Sequence, residues 1–133
     1  MEEEQKNDGQ QTPMLPSTVV VGSREVEVRT ELELGVWAAL KECYDPEIPV
    51  NVVDLGLIYE MKVDDSIQGE ASVFVKMTLT APGCGMGPMI AADVKRRVSM
   101  VEGVKNVLVD LVFDPPWGTS LMSEGAKLML NLP

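Results

Sequence analysis

Seven residues, Pro82 to Pro88, carry three glycines and two prolines around a single thiol, Cys84. Such a stretch sustains neither a helix nor a ladder, because its path rests on the permissive φ of Gly and the fixed φ of Pro. A strand-like run, Val73 to Leu79, leads into it, and a helical pattern opens at Pro88, with Gly87 and Pro88 suited to the cap and first helical position. The chain therefore turns from strand to helix here. Free backbone N–H groups at that helix start favour an anion, and a thiolate at Cys84 is the nearest candidate. The same spacing equally suits a small apolar cysteine packed beneath a tight turn.

The flanking patterns build outward from this turn. Leu57, Tyr59, Met61 and Val63 alternate with polar neighbours as a half-buried strand, and the short polar turn Asp64 to Glu70 makes it an antiparallel partner of Val73 to Leu79. After the turn, Ile90, Val94, Val98 and Val101 mark a helix stripe that Gly103 can close. Val107 to Phe113 alternate again, and a strand reached through a helix is expected to lie parallel to the one before it. Upstream, Thr30 and Glu33 form a capping box for a helix with Leu32, Val36, Ala39, Leu40 and Cys43 on one stripe, ended by Pro46. Cys43 reads as a packed core thiol. Asp114-Pro115-Pro116-Trp117 stops the third strand, and Thr119 or Ser120 can cap a last helix with Leu121, Gly125, Leu128 and Leu132 on its face. Trp117 reads first as a staple between that helix and the sheet.

These patterns predict an α+β fold, a two-layer α/β sandwich in the order helix, strand, strand, helix, strand, helix with a three-stranded sheet. At 133 residues there is room for one core. Residues 1–30 read as an amino-terminal extension. Residues 1–16, acidic and almost without apolar side chains, make a partly disordered tail, and Thr18 to Val28 have the pattern of a short hairpin turning at Gly22-Ser23. Residues 31–133 form the domain. Between its first helix and first strand, Asp45 to Tyr59 (DPEIPVNVVDLGLIY) has two prolines, yet it has too many apolar side chains for a solvated loop. A packed irregular segment needs side-chain partners for its backbone, and Asp45, Asn51 and Asp54 suit Asx turns or caps. The functional alternative is that Asp45, Glu47 or Asp54 supplies an acid, base or hard ligand beside the Cys84 turn.

Charge and composition exclude several functions. A net charge of −10 leaves no basic stripe for nucleic acid, and Lys95-Arg96-Arg97 reads as the solvated face of a helix. There is no histidine, hence no Ser-His or Cys-His nucleophile pair and no imidazole ligand. A hydrolase of ordinary type is not expected. Mean hydropathy is +0.06, no run suits a membrane span, and the acidic start MEEEQKNDGQ lacks the order of a secretory signal, so a cytoplasmic location with reduced thiols is expected.

DPEIPVNVVDLGLIY at 45–59, LTAPGCGMG at 79–87 and DPPWGTSLMSEGAKLML at 114–130 together resemble the metal-sulfur cluster biosynthetic family. This family includes the SufT accessory protein of the SUF pathway, the PaaD protein of the phenylacetyl-CoA oxygenase operon and a eukaryotic cytosolic iron-sulfur targeting factor. The resemblance covers residues 31–132, with the Met-Ser-Glu ending and the added amino-terminal segment most similar to the SufT branch. It implies that Asp45, Pro46, Glu47, Asp54, Gly56, Tyr59, Pro82, Cys84, Met86, Pro115, Pro116 and Trp117 are signature positions. It also implies an accessory, non-enzymatic role in iron-sulfur protein maturation, by assembly, carriage or targeting, with Cys84 the functional thiol and Asp45, Glu47, Asp54, Met86 and Trp117 supporting it. The implied partners are the assembly machinery and apo-client proteins.

Donor chemistry limits this role. A stable iron-sulfur cluster wants about four thiolates, whereas this chain has two cysteines and no histidine. No cluster is expected to be held stably by one subunit. Cys84 is then one ligand of a labile cluster, bridged across a homodimer or shared with a partner or a small thiol, or else it only docks a partner. The alternative from another class is a non-catalytic adaptor that docks an oxygenase or other client through its acidic surface and the Trp117 corner. A thiol oxidoreductase ranks last for want of a Cys-x-x-Cys motif.

Overall fold

The computed structural model describes residues 15–81 and 87–132. An amino-terminal hairpin, β1 (Ser17–Val21) and β2 (Arg24–Val28), precedes helix α1 (Glu31–Leu40). Strands β3 (Ile58–Asp64) and β4 (Ala71–Met77), helix α2 (Gly87–Ser99), strand β5 (Val104–Leu111) and helix α3 (Glu124–Met129) follow. The expected helix-strand-strand-helix-strand-helix order is present, with the hairpin as a separate two-stranded sheet in front of it. In the three-stranded sheet, β4 is central. It pairs antiparallel with β3, from Ile58 opposite Met77 to Asp64 opposite Ser72, and parallel with β5, from Ala71 opposite Val104 to Met77 opposite Leu111.

The period of two explains which face is covered. Val73, Val75 and Met77 of β4 point into the core with Ile90, Val94 and Val98 of α2, while Ser72 and Leu108 face outward. Val36, Trp37 and Leu40 of α1 complete the layer. Val19, Val21 and Val28 of the hairpin belong to the same buried cluster. Arg96 and Arg97 pair with Asp93, and Arg97 also reaches Glu42 at 3.4 Å, so the basic cluster is a surface tie near the α1–α2 seam. Among the described residues no helix is long and apolar enough to cross a membrane.

Several local expectations are corrected. Thr30 does cap α1, accepting from Glu33 N, but the Glu33 carboxylate reaches past Thr30 to Arg29 N at 2.8 Å. Helix α1 ends at Leu40, before Pro46 can act, because tighter bonds from Glu42 N to Ala39 O and from Cys43 N to Leu40 O close its last turn. Trp37, absent from the expected stripe, is buried, whereas Leu32 and Ala39 are half-buried. The last helix differs most. Thr119 to Leu121 form a single 3₁₀ turn, Ser123 caps α3 by accepting from Ala126 N, and the buried positions become Met122 and Ala126. Leu128 is left 75% exposed, because the later cap rotates the face expected for it.

Candidate functional site

Strand directions bring the motifs together. Because β4 and β5 run parallel and β3 opposes them, the start of β3 and the ends of β4 and β5 share one sheet edge. Thr78 N donates to Leu57 O at 2.9 Å and Val112 N to Met77 O at 2.8 Å, which extends the pairing past the strand ends. The 45–59 segment, the exit of β4 and the 114–117 corner therefore meet there, outside the carboxyl ends of parallel strands, where α/β sheets commonly carry their sites.

The segment 45–59 is packed and irregular, as its prolines and apolar residues require. Asp45, 8% exposed, accepts through Oδ1 from Glu47 N at 2.8 Å and Ile48 N at 3.0 Å. Asn51 Oδ1 accepts from Val53 N and Asp54 N, both at 2.9 Å, and its Nδ2 donates to Asp54 Oδ2 at 2.9 Å. Both are Asx-type turns that satisfy backbone donors no ladder reaches. Asp54 O also accepts from Ser123 N, tying this segment to α3. Asp45 and Asn51 thus serve the backbone, the Asp54 carboxylate braces Asn51, and Glu47 is exposed. Gly56, at φ +77°, lies against Leu121 O and beside Gly22 of the hairpin, so closely that a Cβ on either glycine would strike backbone.

Two long-range bonds lock the 114–117 corner down. Trp117 Nε1 donates to Leu55 O at 2.7 Å, and Tyr59 Oη donates to Pro115 O at 2.7 Å. Trp117 staples its corner to the 45–59 segment, rather than α3 to the sheet. Burial raises the Tyr59 phenol above its ordinary value, the Thr78 hydroxyl opposes this, and Asp114 adds to the rise. Tyr59, Glu60, Lys76, Asp114, Pro115 and the hairpin's Arg24 line an open groove of about 480 Å³. Arg24, which the sequence reading passed over, lines this groove. Its Nη2 donates to Ile58 O at 2.7 Å and Tyr59 O at 3.1 Å, carbonyls 34 and 35 residues away, and nothing local in the sequence signals that pairing.

Cys84 and Met86, with Pro82, lie outside the described residues. Their flanks are described: Leu79 is buried, and Gly87 packs so closely that a Cβ there would stand 2.9 Å from Leu79 Cδ1 and 3.3 Å from Leu111 Cδ2. Cys43 is 1% exposed, its Sγ lies 3.6 Å from Ala39 O, and burial, with Asp93 nearby, pushes its thiol up to about 12. A protonated, enclosed thiol is neither nucleophile nor ligand. Among the described residues, no group of three or more Cys, His, Asp or Glu side chains is arranged to hold a metal ion.

Comparison with known proteins agrees with this fold. Residues 34–109 match the model of the iron-sulfur cluster assembly protein family. An Fe-S protein maturation auxiliary factor of Porphyromonas gingivalis is 50% identical over 101 residues, 76% of this chain and 92% of the relative. The Fe-S protein maturation auxiliary factor SufT of Staphylococcus aureus is 40% identical over 88 residues, 66% of this chain and 96% of that one. A crystal structure of a domain of unknown function from Bacillus anthracis, 35% identical, superposes with a TM-score of 0.69 over 77% of this chain and 94% of that one. The α+β sandwich is thus shared with solved relatives, and the chain belongs to the iron-sulfur cluster assembly protein family.

Proposed function

We propose that this protein is an accessory factor in iron-sulfur protein maturation, with Cys84 the thiol that meets the cluster as cargo. The observation that carries this reading is the convergence of three motif segments on the sheet edge where both flanks of the Cys84 turn are anchored. Only five residues separate Ala81 from Gly87. Both ends of that short stretch, Ala81 and Gly87, belong to the elements that meet at this edge. Its relatives' names as maturation auxiliary factors support the same role.

The donor set decides what kind of factor. Cys43 is sealed in the core, so Cys84 is the one thiol left to offer, and a cluster needs further ligands from elsewhere. Such a cluster is shared cargo, held between this chain and a second copy, an assembly partner or a client. A site with one thiolate releases its cargo easily, which suits transfer rather than storage. The adaptor alternative draws less support, since the Trp117 indole is spent internally on Leu55 O rather than presented as a docking aromatic.

Anaerobic reconstitution with iron and sulfide, followed by analysis of both per chain, tests the reading. Uptake that disappears in Cys84→Ser and survives in Cys43→Ala is expected. Equal uptake by wild type and Cys84→Ser would favour the adaptor.

A further inference from the structure

The amino-terminal hairpin lies outside the stretch that matches the family model, yet its turn touches the family's motifs directly. Gly22, at φ +62°, packs backbone to backbone against Gly56 and Leu121 O, and a Cβ on Gly22 would lie 2.6 Å from Gly56 Cα. Two residues on, Arg24 Nη2 bridges the carbonyls of Ile58 and Tyr59. Those carbonyls sit where β3 has a register shift, between Ile58 and Glu60, so the regular ladder is interrupted at this point. Tyr59 in turn donates to Pro115 O. A continuous chain of contacts thus runs from the hairpin turn through the start of β3 to the 114–117 corner.

We infer that the hairpin is a working part of this sheet edge and that Arg24 is its positioning residue, holding Tyr59 and hence the Asp114–Trp117 corner in register. This deepens the maturation role proposed above and rests on it for its functional meaning. The geometry favours Arg over other residue types. A charged guanidinium donates stronger bonds than a neutral group, and the two hydrogens of its planar Nη2 serve two neighbouring carbonyls at once. Positioning through Arg24 also differs from mere packing by the hairpin. Val28 is fully buried in the core, far along β2 from the turn, and contributes stability without any of these bonds to the edge.

Native-state hydrogen exchange separates the two roles, because local opening and global unfolding change different amides. In Arg24→Met, the Trp117 indole N–H and the Thr78 amide are expected to exchange at least about tenfold faster, while the Val73 and Val75 amides in central β4 change much less. Arg24→Lys should recover part of the loss. Val28→Ala, the control for simple destabilisation, should speed edge and core amides by similar factors. If Arg24→Met accelerates the edge no more than the core, or no more than Val28→Ala does at equal stability, Arg24 is an ordinary surface residue and the inference fails. This readout needs neither iron nor a client. Should Cys84→Ser support full client maturation while the selective opening in Arg24→Met is still seen, the cargo role of Cys84 fails and the positioning role stands.

Discussion

Trp117 and Leu55, separated by 62 residues, are joined by an indole N–H···O=C bond of 2.7 Å that fixes the Pro-Pro corner to the irregular segment before β3. Replacing the indole by a phenyl ring keeps most of the packing and leaves the carbonyl without this donor. Trp117→Phe is expected to lose about 1–3 kcal/mol of stability, the cost of a partly buried acceptor left unmade. Urea denaturation checks this, and an unchanged midpoint with an unchanged slope would show that the bond contributes nothing.

Gly56 and Gly69 both hold positive φ, +77° and +80°, but in opposite surroundings. A Cβ at Gly69 meets nothing, whereas at Gly56 it meets Leu121 backbone. Gly69→Ala should therefore cost about 1 kcal/mol, the strain of a left-handed alanine. Gly56→Ala should cost several-fold more, because backbone at 121 has to shift as well. Equal thermal midpoints for the two variants would contradict the three-way contact of Gly22, Gly56 and Leu121.

Asp45, Asn51, Asp54 and Glu47 of the 45–59 segment rank by what their side chains satisfy. Asp45 and Asn51 each accept two backbone N–H bonds, Asp54 accepts one side-chain bond, and Glu47 is exposed. Alanine at 45 or 51 should cost about 1–3 kcal/mol by stranding those donors. Alanine at 54 should cost less, and at 47 within about 0.5 kcal/mol. Denaturant midpoints for the set give the order directly, and a Glu47→Ala loss as large as that of Asp45→Ala would overturn it.

How much of this was legible in the sequence depended on whether the partner was local. Asp45 and Asn51 betrayed their turns because each bonds to backbone two or three residues on, inside a stretch that Pro46 and Pro49 keep from being a helix. The strand alternation and the parallel pairing of β4 with β5 followed from period and crossover alone. Trp37 was missed because the apolar stripe was traced through Leu32, Val36 and Leu40, one position to its side. The phase of α3 was missed because a 3₁₀ turn consumes Thr119 and Ser120, leaving the cap to Ser123. Arg24 carried no signal, since an arginine after a hairpin turn looks solvated until the fold delivers two carbonyls to it. Of the expected site residues, Trp117 is bonded to Leu55 O at the motif edge, Asp45 and Asp54 brace their own segment, Glu47 is exposed, and Cys84 and Met86 lie outside the described residues.

Cys43 gives the protein a pH dependence of definite sign. Burial pushes its thiol from 9.0 to about 12, so the folded state holds this proton more tightly than the unfolded chain does. Its contribution is complete below the unfolded value and is lost as pH rises through about 9 toward about 12. Stability of the wild type should fall across that window more steeply than that of Cys43→Ala. Parallel pH profiles of the two would show that the thiol is not shielded.

Client maturation in cells tests the central claim most directly. A strain carrying Cys84→Ser, a soft ionisable ligand replaced by a hard hydroxyl of similar size, is compared with strains carrying wild type and Cys43→Ala at matched protein levels. The account predicts that iron-sulfur client activity is lost with Cys84→Ser and kept with Cys43→Ala, while the Cys84→Ser protein remains folded by circular dichroism. Full client activity with Cys84→Ser would contradict it.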